Sequence, residues 1–141
     1  MIVDASVILR AFFPDESQEQ AQAVVQDHIS GRVSLKAPDL LPYELSNAVW
    51  QAERRGRISR EQADEIIESM RWLNIELEPL GWGEVLPLAR RFERSAYDAA
   101  YLFLAQSREE ALITGDERLF NAVQSELDWV IWIGDYRPES D

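Results

Sequence analysis

Four acids stand where a carboxylate is in a position to do chemistry. Asp4 follows the apolar start Met1-Ile2-Val3, and Glu44 lies inside the stretch 41–47. Asp98 opens the apolar run 99–105, and Asp116 comes directly after Ala111-Leu-Ile-Thr-Gly115. One such acid is ordinary, because the helix dipole favours a carboxylate in a first turn. Four of them gathered by a fold have three uses. They bind Mg²⁺ or Mn²⁺ as hard oxygen ligands, they act as a general acid/base pair, or they cap helices. The metal reading is preferred because Asp and Glu dominate, while His28 is alone and cysteine is absent. Ions held there orient and deprotonate a water and stabilise charge developing on a phosphodiester. The spacing leaves open whether one ion or two is held. Ser6 and Thr114 sit close in sequence to Asp4 and Asp116, and each hydroxyl either holds a ligand or caps a helix. Asn47, three residues from Glu44 and so its neighbour on a helix, is expected to act through its amide.

The elements that must position these groups follow from periodicity and punctuation. Residues 1–4 read as a short buried strand, and 5–13 continue as a helix until Pro14. A helix over 16–29 carries His28 at its surface or half-buried, and Gly31 ends it. A weak strand is expected at 33–36. The segment 40–55 is an amphipathic helix with the stripe Leu41, Leu45, Ala48 and Ala52, and Pro42 is tolerated in its first turn. Gly56 stops it. Ser59 and Gln62 match a capping box that opens a helix running to about Trp72. A half-exposed strand over 75–78 and a helix over 81–93 follow, the latter weakened by Pro87. Another helix runs from Tyr97 to about Ser107, and 111–114 is a short buried strand. The chain closes with a helix over 117–123 and a strand over 129–133 rich in β-forming residues. Strands alternating with helices predict an α/β domain, a mostly parallel central sheet flanked by helices. Residues 1–134 form this single domain, and 135–141 are read as a polar tail. Asp4 and Asp116 then leave parallel strands at one edge of the sheet, where open α/β sheets place ligands.

Composition removes other chemistries. Among 141 residues there is no cysteine, which excludes disulfides, thiolate metal sites and Cys nucleophiles. No GxxxxGK[ST] or GxGxxG loop occurs, so triphosphate hydrolysis and dinucleotide binding lose their support. No Gly-x-Ser-x-Gly occurs, and a Ser-His-Asp site would have to recruit His28. The net charge of −12 argues against a broad basic surface for nucleic acid, though not against nucleic acid as a substrate. No apolar run is long enough to span a membrane and no signal-peptide pattern opens the chain, so a cytoplasmic location is expected. The densest basic cluster is Arg90, Arg91 and Arg94, read as a salt-bridged surface ahead of a phosphate contact. Tyr97, Tyr101 and the tryptophans at 50, 72, 82, 129 and 132 are read as packing or subunit contact.

The pieces Ile2-Val-Asp-Ala-Ser-Val7, Tyr43-Glu-Leu-Ser-Asn47, Tyr97-Asp-Ala-Ala-Tyr101 and Leu112-Ile-Thr-Gly-Asp-Glu-Arg-Leu119 occur in this order across nearly the whole chain. In that combination the sequence resembles the PIN-domain ribonucleases, especially the toxin subunits of VapBC toxin–antitoxin modules. The resemblance implies a three-layer PIN-like domain. It implies that Asp4, Glu44, Asp98 and Asp116 form an acidic metal site, with Asp4 and Asp98 most central and Glu44 and Asp116 binding directly or through water. Ser6, Asn47 and Thr114 match supporting positions. The resemblance further implies Mg²⁺- or Mn²⁺-dependent hydrolysis of RNA by an endoribonuclease, a homodimer and a small antitoxin partner. Two rival functions remain: a nonenzymatic PIN-fold partner-binding protein, favoured by the acidity, and a structure-specific DNA nuclease.

Overall fold

A computed structural model describes residues 1–138. The elements are β1 (Ile2–Val3), α1 (Ala5–Phe12), α2 (Glu19–Ile29), β2 (Lys36–Pro38), α3 (Leu41–Arg54), α4 (Arg60–Trp72) and β3 (Glu76–Glu78). They continue with α5 (Leu86–Phe92), α6 (Ala96–Arg108), β4 (Leu112–Thr114), α7 (Glu117–Val123) and β5 (Val130–Trp132). The strands form one five-stranded sheet in the order β3-β2-β1-β4-β5. All four pairings are parallel. With helices packed around the sheet this is a three-layer α/β fold, as the strand–helix alternation predicts.

The centre of the sheet is β1 with β4. Ile2, Val3, Leu112, Ile113 and Thr114 are all fully buried. Strands covered on both faces need apolar side chains in both directions, which explains these unalternated runs. α6 packs on β1, β2 and β4, burying Ala99, Ala100, Leu102, Leu104 and Ala105. α3 buries Leu41, Leu45, Val49 and Ala52. Val49 thus takes the inward place expected of Ala48, which is half-buried beside it.

Polar residues at strand ends and helix starts set the junctions. Asp4, Ser95 and Asp116 cap α1, α6 and α7 with their side chains. The capping box of Ser59 and Gln62 is present at α4. α2 starts at Glu19 rather than at 16 and β5 is trimmed to Val130–Trp132, and three further departures from the sequence expectation have visible causes. β2 lies at Lys36–Pro38 rather than 33–36 because the preceding loop is held elsewhere: Arg32 and Val33 donate to the Asp27 carbonyl, and Leu35 donates to His28 Nδ1. α5 is shortened to Leu86–Phe92, with Pro87 in its first turn. The chain end is no simple polar tail at its start. Ile133–Asp135 forms a 3₁₀ turn, and Tyr136 is buried with its hydroxyl 2.5 Å from Asp27 Oδ2. The rest of the expected tail, 139–141, lies outside the described residues.

His28 is half-buried on α2, as expected, and acts as a brace. Its Nδ1 accepts from Leu35, which leaves Nε2 to donate to the Leu73 carbonyl at 2.6 Å. Both nitrogens are committed to backbone. Trp129 and Trp132 are half-buried against the core, whereas Trp50, Trp72 and Trp82 stand exposed.

Candidate active site

Asp4 leaves β1 and begins α1, buried to 6% exposure. Its Oδ1 accepts from Ser6 Oγ at 2.5 Å and the Val7 N–H at 3.3 Å, and its Oδ2 accepts from Thr114 Oγ1 at 2.5 Å. Each hydroxyl is itself oriented by a backbone donor. Gly115 N–H gives to Ser6 Oγ at 2.8 Å, and Asp116 N–H gives to Thr114 Oγ1 at 3.0 Å. A hydroxyl carries one proton. With an N–H on its lone pair, that proton is directed at Asp4. The register of β1 on β4, with Val3 opposite Ile113, puts Asp4 level with Thr114 and makes this possible. Burial pushes the Asp4 carboxyl up to about 6. The bonds from Ser6, Thr114 and Val7 pull it down, and the charge of Asp116 adds to the rise.

Glu44 comes from the first turn of α3, half-buried, and its Oε1 accepts the Tyr101 hydroxyl at 2.5 Å. Burial raises Glu44, Tyr101 opposes this, and Asp98 adds to it. Tyr101 is pushed far up, first by burial and then by the charges of Glu44, Asp4 and Asp98. Its phenol therefore stays a donor. Asp98 sits in the first turn of α6, its backbone N–H capped by Ser95 Oγ at 3.1 Å. Its Oδ2 accepts both Nε and Nη2 of Arg94 at 3.1 Å. Burial raises Asp98, Arg94 pulls it back, and Asp116 raises it again. Asp116 caps α7, its Oδ1 accepting the N–H groups of Arg118 and Leu119 at 3.0 and 3.2 Å.

The four acids thus share one electrostatic neighbourhood, delivered by β1, α3, α6 and the end of β4. Asp116 is felt by Asp4 and Asp98, and Asp98 by Glu44. The donor set is all oxygen with excess negative charge, which fits a hard divalent cation such as Mg²⁺ or Mn²⁺. The arrangement is open rather than a closed cage. Among the described residues no group of three or more His, Asp and Glu side chains stands ready to grip one ion. Asn47 is not part of it: its side chain is exposed and makes no hydrogen bond among the described residues.

A cleft of about 570 Å³ opens beside Ser6 and Asp116, with Arg10 and Arg118 on its walls. The Arg10 guanidinium lies over Gly115, where an added Cβ would come within 2.7 Å of Nη1, and faces the Trp132 ring at 5.8 Å. A side chain at Gly115 would meet only the end of the flexible Arg10 side chain, and would displace it from this position. A second, more apolar groove between Leu41, Leu45, Ile67 and Met70 contains none of the four acids. Sequence reading left out what two residues do at the site. Tyr101, read as packing, is buried and also donates to Glu44. Arg94, read as part of a salt-bridged surface, is salt-bridged, and its partner is Asp98. The spacing of Arg94 and Asp98 by four, and of Tyr101 and Asp98 by three, carried that signal.

In an open parallel α/β sheet, ligands bind outside the carboxyl ends of the strands, which is where Asp4 and Asp116 lie. The model of the PIN domain family matches residues 1–125, and the chain belongs to that family. Within it the chain is similar to VapC proteins. It is 33% identical over 123 residues to Ribonuclease VapC3 of Pyrobaculum aerophilum, covering 84% of this chain and 91% of that protein. It is 28% identical over 127 residues to Ribonuclease VapC9 of Mycobacterium tuberculosis, covering 89% and 93%. Exonuclease VapC9 of Pyrobaculum aerophilum is 30% identical over 100 residues, covering 71% and 75%. The crystal structure of PAE2754 from Pyrobaculum aerophilum shares the fold, with a TM-score of 0.73 at 24% identity over 94% of this chain and 90% of that one.

Proposed function

We propose that this chain is a Mg²⁺- or Mn²⁺-dependent endoribonuclease, the toxin of a toxin–antitoxin pair. The observation that supports this reading is that Asp4, Glu44 and Asp98 come from separate elements and are each raised, by burial first and then by another acid: Asp116 for Asp4 and Asp98, and Asp98 for Glu44. The names of the VapC relatives support ribonuclease chemistry. A bound divalent ion supplies an activated water and stabilises negative charge on the phosphodiester. The chain's own residues do the positioning. Asp4 and Asp98 are the central ligands, and Glu44 and Asp116 act directly or through water. Ser6 and Thr114 fix the Asp4 carboxylate, and Tyr101 fixes that of Glu44. Arg10 offers a cation on the cleft wall to the substrate's backbone.

The test is cleavage of a circular single-stranded RNA, which only an endonuclease opens. Purified protein is expected to cut it with Mg²⁺ or Mn²⁺, to stop with a chelator, and to lose activity in Asp4→Asn and Asp98→Asn. An unchanged rate in both variants would remove these acids from the chemistry. Equal cutting of a DNA circle would favour a DNA nuclease. A second reading, a nonenzymatic partner-binding domain, is favoured by the grip of Arg94 on Asp98 and the net charge of −12. It predicts no cleavage under any metal while a basic antitoxin still binds. Under the leading reading the chain acts as a homodimer in the cytoplasm, with exposed Trp50, Trp72 and Trp82 as candidates for subunit or antitoxin contact. No helix of the described residues is long and apolar enough to cross a membrane.

A further inference from the structure

Beside backbone N–H groups on Asp4 and Asp116, three neutral side chains and one cation hold the carboxylates of this site. Asp4 is held by two hydroxyls and Glu44 by a phenol. Asp98 alone is held by a guanidinium, whose Nε and Nη2 both reach the same oxygen, Oδ2. The backbone sets this approach. Glu93 adopts a left-handed φ of 52° at the end of α5, Arg94 N–H bonds back to the Ala89 carbonyl at 3.1 Å, and Ser95 then caps α6. Arg94 is thereby lodged at the joint between two helices, one turn ahead of Asp98. The rest of its cluster points elsewhere: Arg91 pairs with Glu126, and Arg90 has no ion pair among the described residues.

We propose that Arg94 competes with the divalent cation for Asp98, occupying Oδ2 until the ion displaces it. The proposal rests on the metal-dependent reading above. Two N–H donors take the lone pairs that a cation needs on that oxygen, and the guanidinium charge repels a dication at contact range. Arginine does not leave by losing a proton, since it stays charged in proteins. It leaves by rotating, and both side chains are 23% exposed, so water is at hand to receive the guanidinium. Asp4 Oδ1 also accepts from two donors, Ser6 Oγ and the Val7 N–H, but these are neutral and add no charge repulsion, so Asp98 is the ligand that a cation contests.

The experiment is Mn²⁺ binding without RNA, by calorimetry or by the electron paramagnetic resonance of free Mn²⁺. It compares the natural protein with Arg94→Ala, Arg94→Lys and Asp4→Asn, with circular dichroism confirming the fold. Arg94→Ala is expected to bind Mn²⁺ about three- to tenfold tighter, a range set by a partly exposed charge-assisted pair. Arg94→Lys keeps the charge without the fork and falls between the two. A residue that merely props Asp98 gives the opposite sign, weaker binding on removal. If the natural protein binds Mn²⁺ through Asp4 but Arg94→Ala binds equally or less tightly, this inference is wrong and the metal reading stands. If no variant binds Mn²⁺, the metal reading fails and takes this inference with it. Should Arg94→Ala not fold, Arg94→Lys decides: tighter binding than the natural protein supports the proposal, and equal or weaker binding overturns it.

Discussion

The two ends of the same parallel sheet treat their carboxylates in opposite ways. At the amino ends of the strands, Glu110 lies 2.8 Å from Lys36 Nζ and 2.7 Å from the Met1 ammonium. Burial pushes Glu110 up, but the two cations together outweigh it and leave its carboxyl below the usual value, while Lys36 is raised in return. At the carboxyl ends, Asp4, Glu44 and Asp98 are all raised. Residue type is shared, and so is the sheet. The sign is decided by company: cations at one end, burial and like charge at the other. The first edge is electrostatically complete. The second keeps an unmet demand for positive charge, answered only at Asp98 and there by one side chain.

The largest test of this contrast is removal of one acid from the uncompensated edge. Asp4→Asn or Asp98→Asn is expected to lower RNA cleavage roughly a hundredfold or more, read from initial rates on a labelled RNA. Without divalent ions, Asp4→Asn is expected to melt at or above the natural protein, because a buried charge has gone. Next comes Tyr101→Phe, which leaves the ring in the core and deletes the donor to Glu44. Loss of such an outer partner is expected to weaken Mn²⁺ binding about tenfold, measured calorimetrically. Thr114→Val keeps the shape but unpairs both Asp4 Oδ2 and the Asp116 N–H. It is expected to cost about 1–3 kcal/mol, read from urea unfolding.

The last test is of sign rather than size: in pH dependence the two edges slope oppositely. Asp4 moves from an ordinary 3.8 to about 6 on folding. Between those values the folded state binds more protons than the unfolded one, so cation-free stability falls as pH rises from about 4 to beyond 6. Asp4→Asn flattens that window. Glu110 is depressed on folding, so its contribution is present above its ordinary value of 4.5 and lost as pH falls through the folded value. Glu110→Gln removes only that acid-side loss, and weakly, since the pair is partly solvated. Melting temperatures between pH 3 and 8 would separate the two; parallel slopes would break the contrast.

Much of this was readable from residues because the acids sit at punctuation. Asp4 and Asp116 each end a buried apolar strand, and a β-strand run followed at once by a capping acid is visible in one dimension. Glu44 and Asp98 were visible as acids in first turns. What local pattern left out was partnership across the sheet. Ser6 and Thr114 lie beside different acids in sequence, yet both hydroxyls converge on Asp4, because β1 pairs with a strand 110 residues later. Asn47 has the right spacing from Glu44 but faces solvent, since the inward row of α3 runs through Leu41, Leu45 and Val49. Tyr136 reads as part of a polar end and is buried because Asp27 offers it an acceptor.

The sheet order has a consequence for the order of synthesis. β1 is made first and lies third, between β2 and β4. Until about the 114th residue has left the ribosome, one flank of β1 has no partner and Asp4 lacks the Thr114 hydroxyl. A chain stopped between Asp98 and β4 therefore carries three of the four acids without the strand that seats the first of them. Asp4, made before the other three acids, is thus seated only once β4 exists.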